Sequence, residues 1–211
     1  MKTLRKTLKK LKISFLRFSV INNFSNLIAI KKWEKNPTNN PPSIIKYQKI
    51  IAVTKDNNLK NIIETGTYLG DMIAATKKIF TKIDSIELNQ ELYQEAVKRF
   101  RKEPHIKIWN GDSYLILAEI IKDTKQPTLF WLDAHYSGGI TAKSEFGDTP
   151  INKELEVIFS NWQKDSVILI DDSRLFVGTN NYPTLENLSE YIKKQPLNLK
   201  LDIEDDIIII K

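Results

Sequence analysis

From residue 60 onward the chain alternates short apolar runs with stretches of helical periodicity, and this alternation narrows the fold more than any other feature. Runs of strand length occupy 61–64, 82–87, 105–109, 128–133 and 166–171. Between them, helical patterns cover 71–80, 90–101, 113–121 and about 151–159, the last opened by Pro150, a residue well suited to a helix start. A further helix is expected over 183–193. Strand–helix–strand alternation makes a parallel sheet with helices on both faces. The chain then continues with 197–202 and 206–211, two strands joined by a tight acidic turn, which add an antiparallel hairpin at one edge. The expectation is an α/β protein with a seven-stranded, mostly parallel sheet whose last strand is antiparallel.

The glycines support this reading independently. All seven, at 66, 70, 111, 138, 139, 147 and 178, follow strand one, three, four or five. They therefore gather on the carboxyl edge of the sheet, where open α/β folds bind ligands. Glycine is needed where backbone turns sharply or approaches another group closely.

The segment Ile62-Ile63-Glu64-Thr65-Gly66-Thr67-Tyr68-Leu69-Gly70-Asp71 refines the picture. It reads as a buried strand ending in an acid, then a turn with two glycines, then a helix start. Glu87 ends the next strand. This spacing suits a nucleotide-like cofactor: Gly66 lets backbone approach the ligand, Gly70 lets the helix pack closely, and Glu87 can accept ribose hydroxyls. The usual phosphate-binding fingerprint has three glycines at closer spacing. An adenosine with a cationic tail, which Glu64 attracts, fits better than a diphosphate, and this points to S-adenosylmethionine (SAM).

Composition bounds the rest. The 211 residues give room for one substantial domain plus an extension, and 41% hydrophobic with 27% charged residues is an ordinary globular balance. The absence of cysteine excludes disulfides, thiolate metal sites and cysteine nucleophiles, and two histidines, His105 and His135, are too few for a histidine-rich metal site. The net charge of +6 is divided unevenly: residues 1–50 carry +11 and residues 51–211 carry −5. We therefore divide the chain into a basic extension and linker (1–50) and a domain (51–211). A nucleic-acid footprint would flank the active cleft, so the acidic domain argues against nucleic acid as a partner. Within residues 1–20, Leu4, Leu8, Leu11, Phe15 and Phe18 define a basic amphipathic helix. It can lie on an anionic membrane surface, or cap the protein's own core or a partner subunit in a homo-oligomer. Lysines interrupt any signal-peptide core, and 18–30, broken by three asparagines, cannot span a bilayer. A cytoplasmic location with peripheral membrane contact follows as the expectation. Residues 36–42 read as a turn, with a helix over 43–54 leading into the core.

Over roughly residues 50–211 the chain resembles the class I SAM-dependent methyltransferases, and within them the metal-dependent O-methyltransferases, particularly the macrocin-type enzymes acting on sugars of natural products. Those enzymes open with a loop like Glu64-Thr65-Gly66 and place acids where this chain has Trp131-Leu132-Asp133-Ala134-His135-Tyr136 and Ile170-Asp171-Asp172. The resemblance implies a Rossmann-like methyltransferase sheet. It implies that Glu64, Gly66, Tyr68 and Gly70 line the methionine end of the cofactor and that Glu87 holds the ribose. Asn110-Gly111-Asp112 would meet the adenine, with Asp112 accepting its exocyclic amine, and Asp133 would also contact cofactor. Trp109 either stacks near the adenine or is a core aromatic, and His105, away from this edge, is read as structural.

Asp133, Asp171 and Asp172 end neighbouring strands, and three converging carboxylates repel unless a cation intervenes. Mg²⁺ suits such oxygen ligands and would orient and acidify an acceptor hydroxyl. In the alternative, Asp133 contacts cofactor alone and Asp172 caps the following helix. His135 stands where relatives carry a second Asp and could take the acceptor proton, with Lys143 as a rival base. The loop 136–149 is placed to cover the acceptor. The expected function is Mg²⁺-assisted O-methylation of a small-molecule or saccharide hydroxyl. The alternatives are a metal-dependent hydroxylase-like enzyme of the same fold, a non-catalytic, membrane-associated cofactor-binding module, and RNA methylation, which the acidic domain opposes.

Overall fold

The structure, a computed structural model, describes residues 20–37, 40–134 and 149–211, in two compact units, Met1–Lys46 and Tyr47–Lys211. In the first, α1 (Val20–Glu34) runs through Asn22, Asn23 and Asn26, the asparagines that interrupt the apolar stretch. Asparagine costs only about 0.7 kcal/mol per helical position, which flanking Leu, Ile and Ala outweigh. Leu27 and Ile28 on α1 are exposed. No helix among the described residues is long and apolar enough to cross a membrane. The amphipathic segment holding Leu4 to Phe18 lies outside the described residues.

α2 (Ser43–Asp56) leads into the second unit, which continues as β1 (Asn61–Thr65), α3 (Asp71–Thr76), β2 (Lys82–Glu87), α4 (Gln90–Phe100), β3 (Ile106–Asn110), α5 (Ser113–Lys122), β4 (Thr128–Leu132), α6 (Ile151–Ser160), β5 (Val167–Ile170), α7 (Leu185–Lys193), β6 (Leu201–Glu204) and β7 (Ile207–Ile210). The seven strands form one sheet in the order β3-β2-β1-β4-β5-β7-β6. β1 to β5 pair in parallel, and β7 is antiparallel to both β5 and β6. The expected sheet is therefore present. α3 ends at Thr76, short of the expected residue 80. The Thr76 hydroxyl donates to Met72 O at 2.9 Å, a side-chain bond of the kind that competes with continued helix.

Adjacent residues of β1 point to opposite faces, so Ile62 and Ile63 enter different cores. Ile63, Phe130, Ile168 and Ile208 pack with Leu117 of α5, Leu155 of α6 and Leu188 of α7. On the other face Ile62, Trp131 and Leu169 pack with Ile50 of α2, Ile73 of α3 and Phe100 of α4. β4 and β5 are buried throughout, as expected of central parallel strands. Lys49 of α2 holds the β6–β7 turn through Glu204 and Asp205, at 2.5 and 3.0 Å.

Candidate active site

Backbone hydrogen bonds continue from strand to strand past the last paired residues. Gly66 and Thr67 N–H donate to Ile86 O (2.9 and 3.1 Å), Asp133 N–H to Thr65 O (3.1 Å), Asp171 N–H to Leu132 O (3.1 Å) and Gly111 N–H to Glu87 O (3.1 Å). The carboxyl ends of β2, β1, β4 and β5 are thereby fixed side by side. Gly66 adopts φ +87, and a Cβ there would lie 2.4 Å from Asp133 O. Its close approach is therefore to the end of β4, where the sequence suggested a ligand. Gly70, φ +71, opens α3, and a Cβ there would meet Phe100 Cε2 at 2.7 Å. That is the close helix packing its position suggested.

Tyr68 also has left-handed backbone, φ 49, and the residue is 47% exposed. Its N–H donates to Glu87 Oε2 (2.7 Å), and Asn89 N–H donates to Glu87 Oε1 (2.9 Å). Glu87 thus organises the glycine turn while each oxygen keeps a lone pair for a ligand hydroxyl. Arg99 of α4 clamps the tip of the turn, donating to Leu69 O and to Asp71 Oδ1, the latter at 2.9 Å. Arg99→Ala is expected to cost under about 1 kcal/mol of stability, as partly exposed ion pairs do. Ligand affinity at this turn should fall by roughly 5–10-fold, the worth of about one hydrogen bond. Paired thermal unfolding and calorimetric titration check both figures.

Glu64 is 1% exposed and accepts the Ser85 hydroxyl at 2.5 Å, while Ser85 also meets the Thr67 hydroxyl at 2.5 Å. Burial pushes its pKa well above the ordinary carboxyl value; the Ser85 bond opposes this, and the Asp133 and Glu87 charges add to it. Asp112 stands at the N-terminus of α5 without a side-chain cap bond, and Ser113 beside it is buried. Asn110 donates to Glu87 O at 2.8 Å, joining this turn to the end of β2.

A recess of about 220 Å³, open solvent included, lies at the ends of β4 and β5; Asp133, Thr149, Glu154, Asp171 and Tyr182 supply its polar lining. Glu154, Thr149 and Tyr182 were missed in the sequence. Glu154 carries a readable signal, an acid among Ile151, Leu155 and Ile158 at the spacing of α6's buried face. Its pKa is pushed up to about 7, chiefly by burial, with the Ser113 and Thr65 hydroxyls opposing and Asp112 and Asp133 reinforcing. Burial likewise raises the Tyr182 hydroxyl, against a hydrogen bond to Thr149, with Asp172, Asp133 and Asp171 adding.

Asp172, expected as a third metal ligand or a helix cap, is engaged differently. Its backbone is left-handed (φ 59) and its carboxylate accepts Arg174 Nη1 at 2.8 Å. Arg174 also pairs with Asp206. Asp206 Oδ1 accepts the Ser173 hydroxyl (3.0 Å) and Arg174 N–H (2.9 Å), so the capping weighed for Asp172 falls to Asp206. Asp171 Oδ1 accepts Asp172 N–H at 2.9 Å. Among the described residues no group of three His, Asp or Glu side chains is arranged to hold a metal ion. His135 and Lys143, with Gly138, Gly139 and Gly147, lie outside the described residues. Trp109 is half-buried against the core, donates to Asp84 Oδ1 at 2.9 Å and carries Lys107 Nζ 3.2 Å from its ring centroid. His105 contacts Lys77 O at 3.1 Å, a framework role.

No protein-family model matches the chain, and no curated protein matches it. Among solved structures, it is similar to the O-methyltransferase from Bacillus cereus in complex with SAH, with 14% identity, 88% of this chain and 89% of that one covered, and a TM-score of 0.60. It is similar to the O-methyltransferase TomG from Streptomyces achromogenes, involved in tomaymycin synthesis and solved with SAM, with 12% identity, 88% and 87% covered, and a TM-score of 0.59. A third is the SAH-bound methyltransferase PaMTH1 of Podospora anserina, with 16% identity, 87% and 86% covered, and a TM-score of 0.59. At these identities the likeness establishes the fold, a Rossmann-like methyltransferase sheet.

Proposed function

We propose that the chain is a SAM-dependent O-methyltransferase acting on a hydroxyl of a small molecule or saccharide. The observation that carries this is the set of carboxylates, Glu64, Glu87 and Asp133, around the Gly66 turn, with Glu64 buried and its neighbours raising its pKa. A cation seated there would relieve their mutual repulsion. In this reading Glu64 and Asp133 face the cationic end of the ligand, Glu87 takes the ribose hydroxyls, and Asp112 with Ser113 meets the adenine. The solved O-methyltransferases of the same fold support oxygen as the methyl-accepting atom.

Bound at this edge, SAM supplies an electrophilic methyl group. The chain's own contribution is to hold donor and acceptor in line, which converts an encounter into an intramolecular step. Thr149, Tyr182 and Asp171 stand on the acceptor side, and His135 and Lys143 are the proposed proton acceptors. A three-carboxylate Mg²⁺ site fits these residues poorly, because Asp172 is ion-paired with Arg174 and Asp171 accepts a backbone N–H. No step is therefore assigned to a metal.

Calorimetric titration tests the donor reading. Wild type should bind SAM with equal affinity in Mg²⁺ and in EDTA. Glu87→Ala should bind roughly 10–100-fold more weakly, the range for hydrogen bonds to a charged group. Failure of wild type to bind would sink the proposal.

A further inference from the structure

Glu154 has no part in the methyl transfer as proposed, yet it sits at the centre of the site's foundations. It occupies a core-facing position of α6, between Ile151 and Leu155, and is 1% exposed. Leucine would suit such a position without the cost of burying a carboxyl. The carboxyl reaches the junction where the end of β1 meets the first turn of α5. The hydroxyls of Thr65 and Ser113 stand beside it, and the carboxylates of Asp112 and Asp133 face it. Thr65, itself 0% exposed, leads directly into the Gly66 turn, and Ser113 directly follows Asp112. Glu154 Oε1 and Thr65 Oγ1 are both buried, and the contact between the two side chains falls short of full hydrogen-bond geometry. Buried polar atoms are nearly always satisfied, so these two, with Glu154 lining the recess beside Asp133, mark a place completed by a further polar group.

We propose that Glu154 is a positioning residue of the donor cradle, holding the Thr65–Gly66 turn against the Asp112–Ser113 turn so that both ends of one adenosine-bearing ligand are gripped together. The two buried atoms are completed when that ligand is in place. The inference rests on the SAM reading above. It assigns the site a support on α6, an element on the far side of the sheet's switch from the glycine turn, so that the adenine and methionine ends are not recognised independently.

The test uses the full chain as wild type, Glu154→Gln and Glu154→Leu. Each is titrated with SAM and with 5′-methylthioadenosine, which keeps adenine and ribose but lacks the amino-acid tail. Glutamine keeps the hydrogen-bonding shape and should bind both ligands within about threefold of wild type. Leucine should lose at least ~10-fold for both, because both turns are released, while the thermal midpoint without ligand does not fall. Leucine binding SAM as wild type does would overturn the proposal. So would a loss confined to SAM, which would place Glu154 on the tail alone, or a fall in the ligand-free midpoint with unchanged affinity, which would make it a packing residue. Wild type binding neither ligand would instead sink the SAM reading beneath it.

Discussion

Gly66→Ala should lose ligand binding and about 3 kcal/mol of folding stability together. One to two of these come from forcing an L-residue into left-handed backbone, and the remainder from overlap in a packed site. The added Cβ would lie 2.4 Å from Asp133 O and 2.9 Å from Asp133 C, backbone atoms that β4 holds in place. Relief requires the β1 turn and the end of β4 to separate, which pulls apart the two walls of the donor site. Gly178→Ala is the control. It has a comparable φ of +80, but its Cβ would meet only Thr184 Cγ2, at 3.0 Å, a side-chain methyl able to move. It should cost about 1 kcal/mol and leave ligand binding intact. Chemical denaturation and SAM titration of both variants separate backbone strain from the close approach. Equal losses in the two would refute the assignment to the Asp133 contact.

Stability of the ligand-free, EDTA-treated protein should fall as pH rises from about 4.5 to about 7. Glu154 has a folded-state pKa of about 7 against an ordinary 4.5. Below 4.5 it is protonated in both folded and unfolded chains, so its burial carries no ionic penalty. Between the two values the unfolded chain ionises and the folded one does not, and stability drains away. At about 1.4 kcal/mol per unit over about 2.5 units, the loss from this group comes to about 3.5 kcal/mol. Above 7 the profile should level. Glu64, whose pKa is also raised by burial, acts in the same direction. Glu154→Gln should flatten the slope and be the more stable protein at pH 8. A slope identical to wild type in urea unfolding across pH 4.5–8 would refute the role given to Glu154.

The strands and helices of the domain were legible because their signals are local. The apolar runs of β4 and β5 and the 151, 154, 155, 158 spacing of α6 need no knowledge of distant residues. The convergence of Glu64, Glu87 and Asp133 was legible for the same reason, since each stands at or beside the end of a strand and the sheet brings strand ends together. What stayed hidden depends on partners far along the chain. Asp172 reads as a ligand until Asp206 is seen to bring Arg174 onto it. Gly66 reads as a ligand contact until the Asp133 carbonyl is seen against it. Glu154 could have been found, because an acid at a core-facing helical position is a local anomaly.

The bond from Asp206 to the Ser173–Arg174 turn has a consequence for how the site is held together. Every wall of the proposed donor side, from Glu64 to Asp133, precedes Asp206 by a long stretch of chain, while the bend after β5 is fastened by a residue of the β6–β7 turn. Without the Asp206 carboxylate the Ser173 hydroxyl and the Arg174 N–H lose the acceptor they share. The bend after β5 thus depends on the final hairpin, and a change at Asp206 reaches Asp172 through their shared partner Arg174.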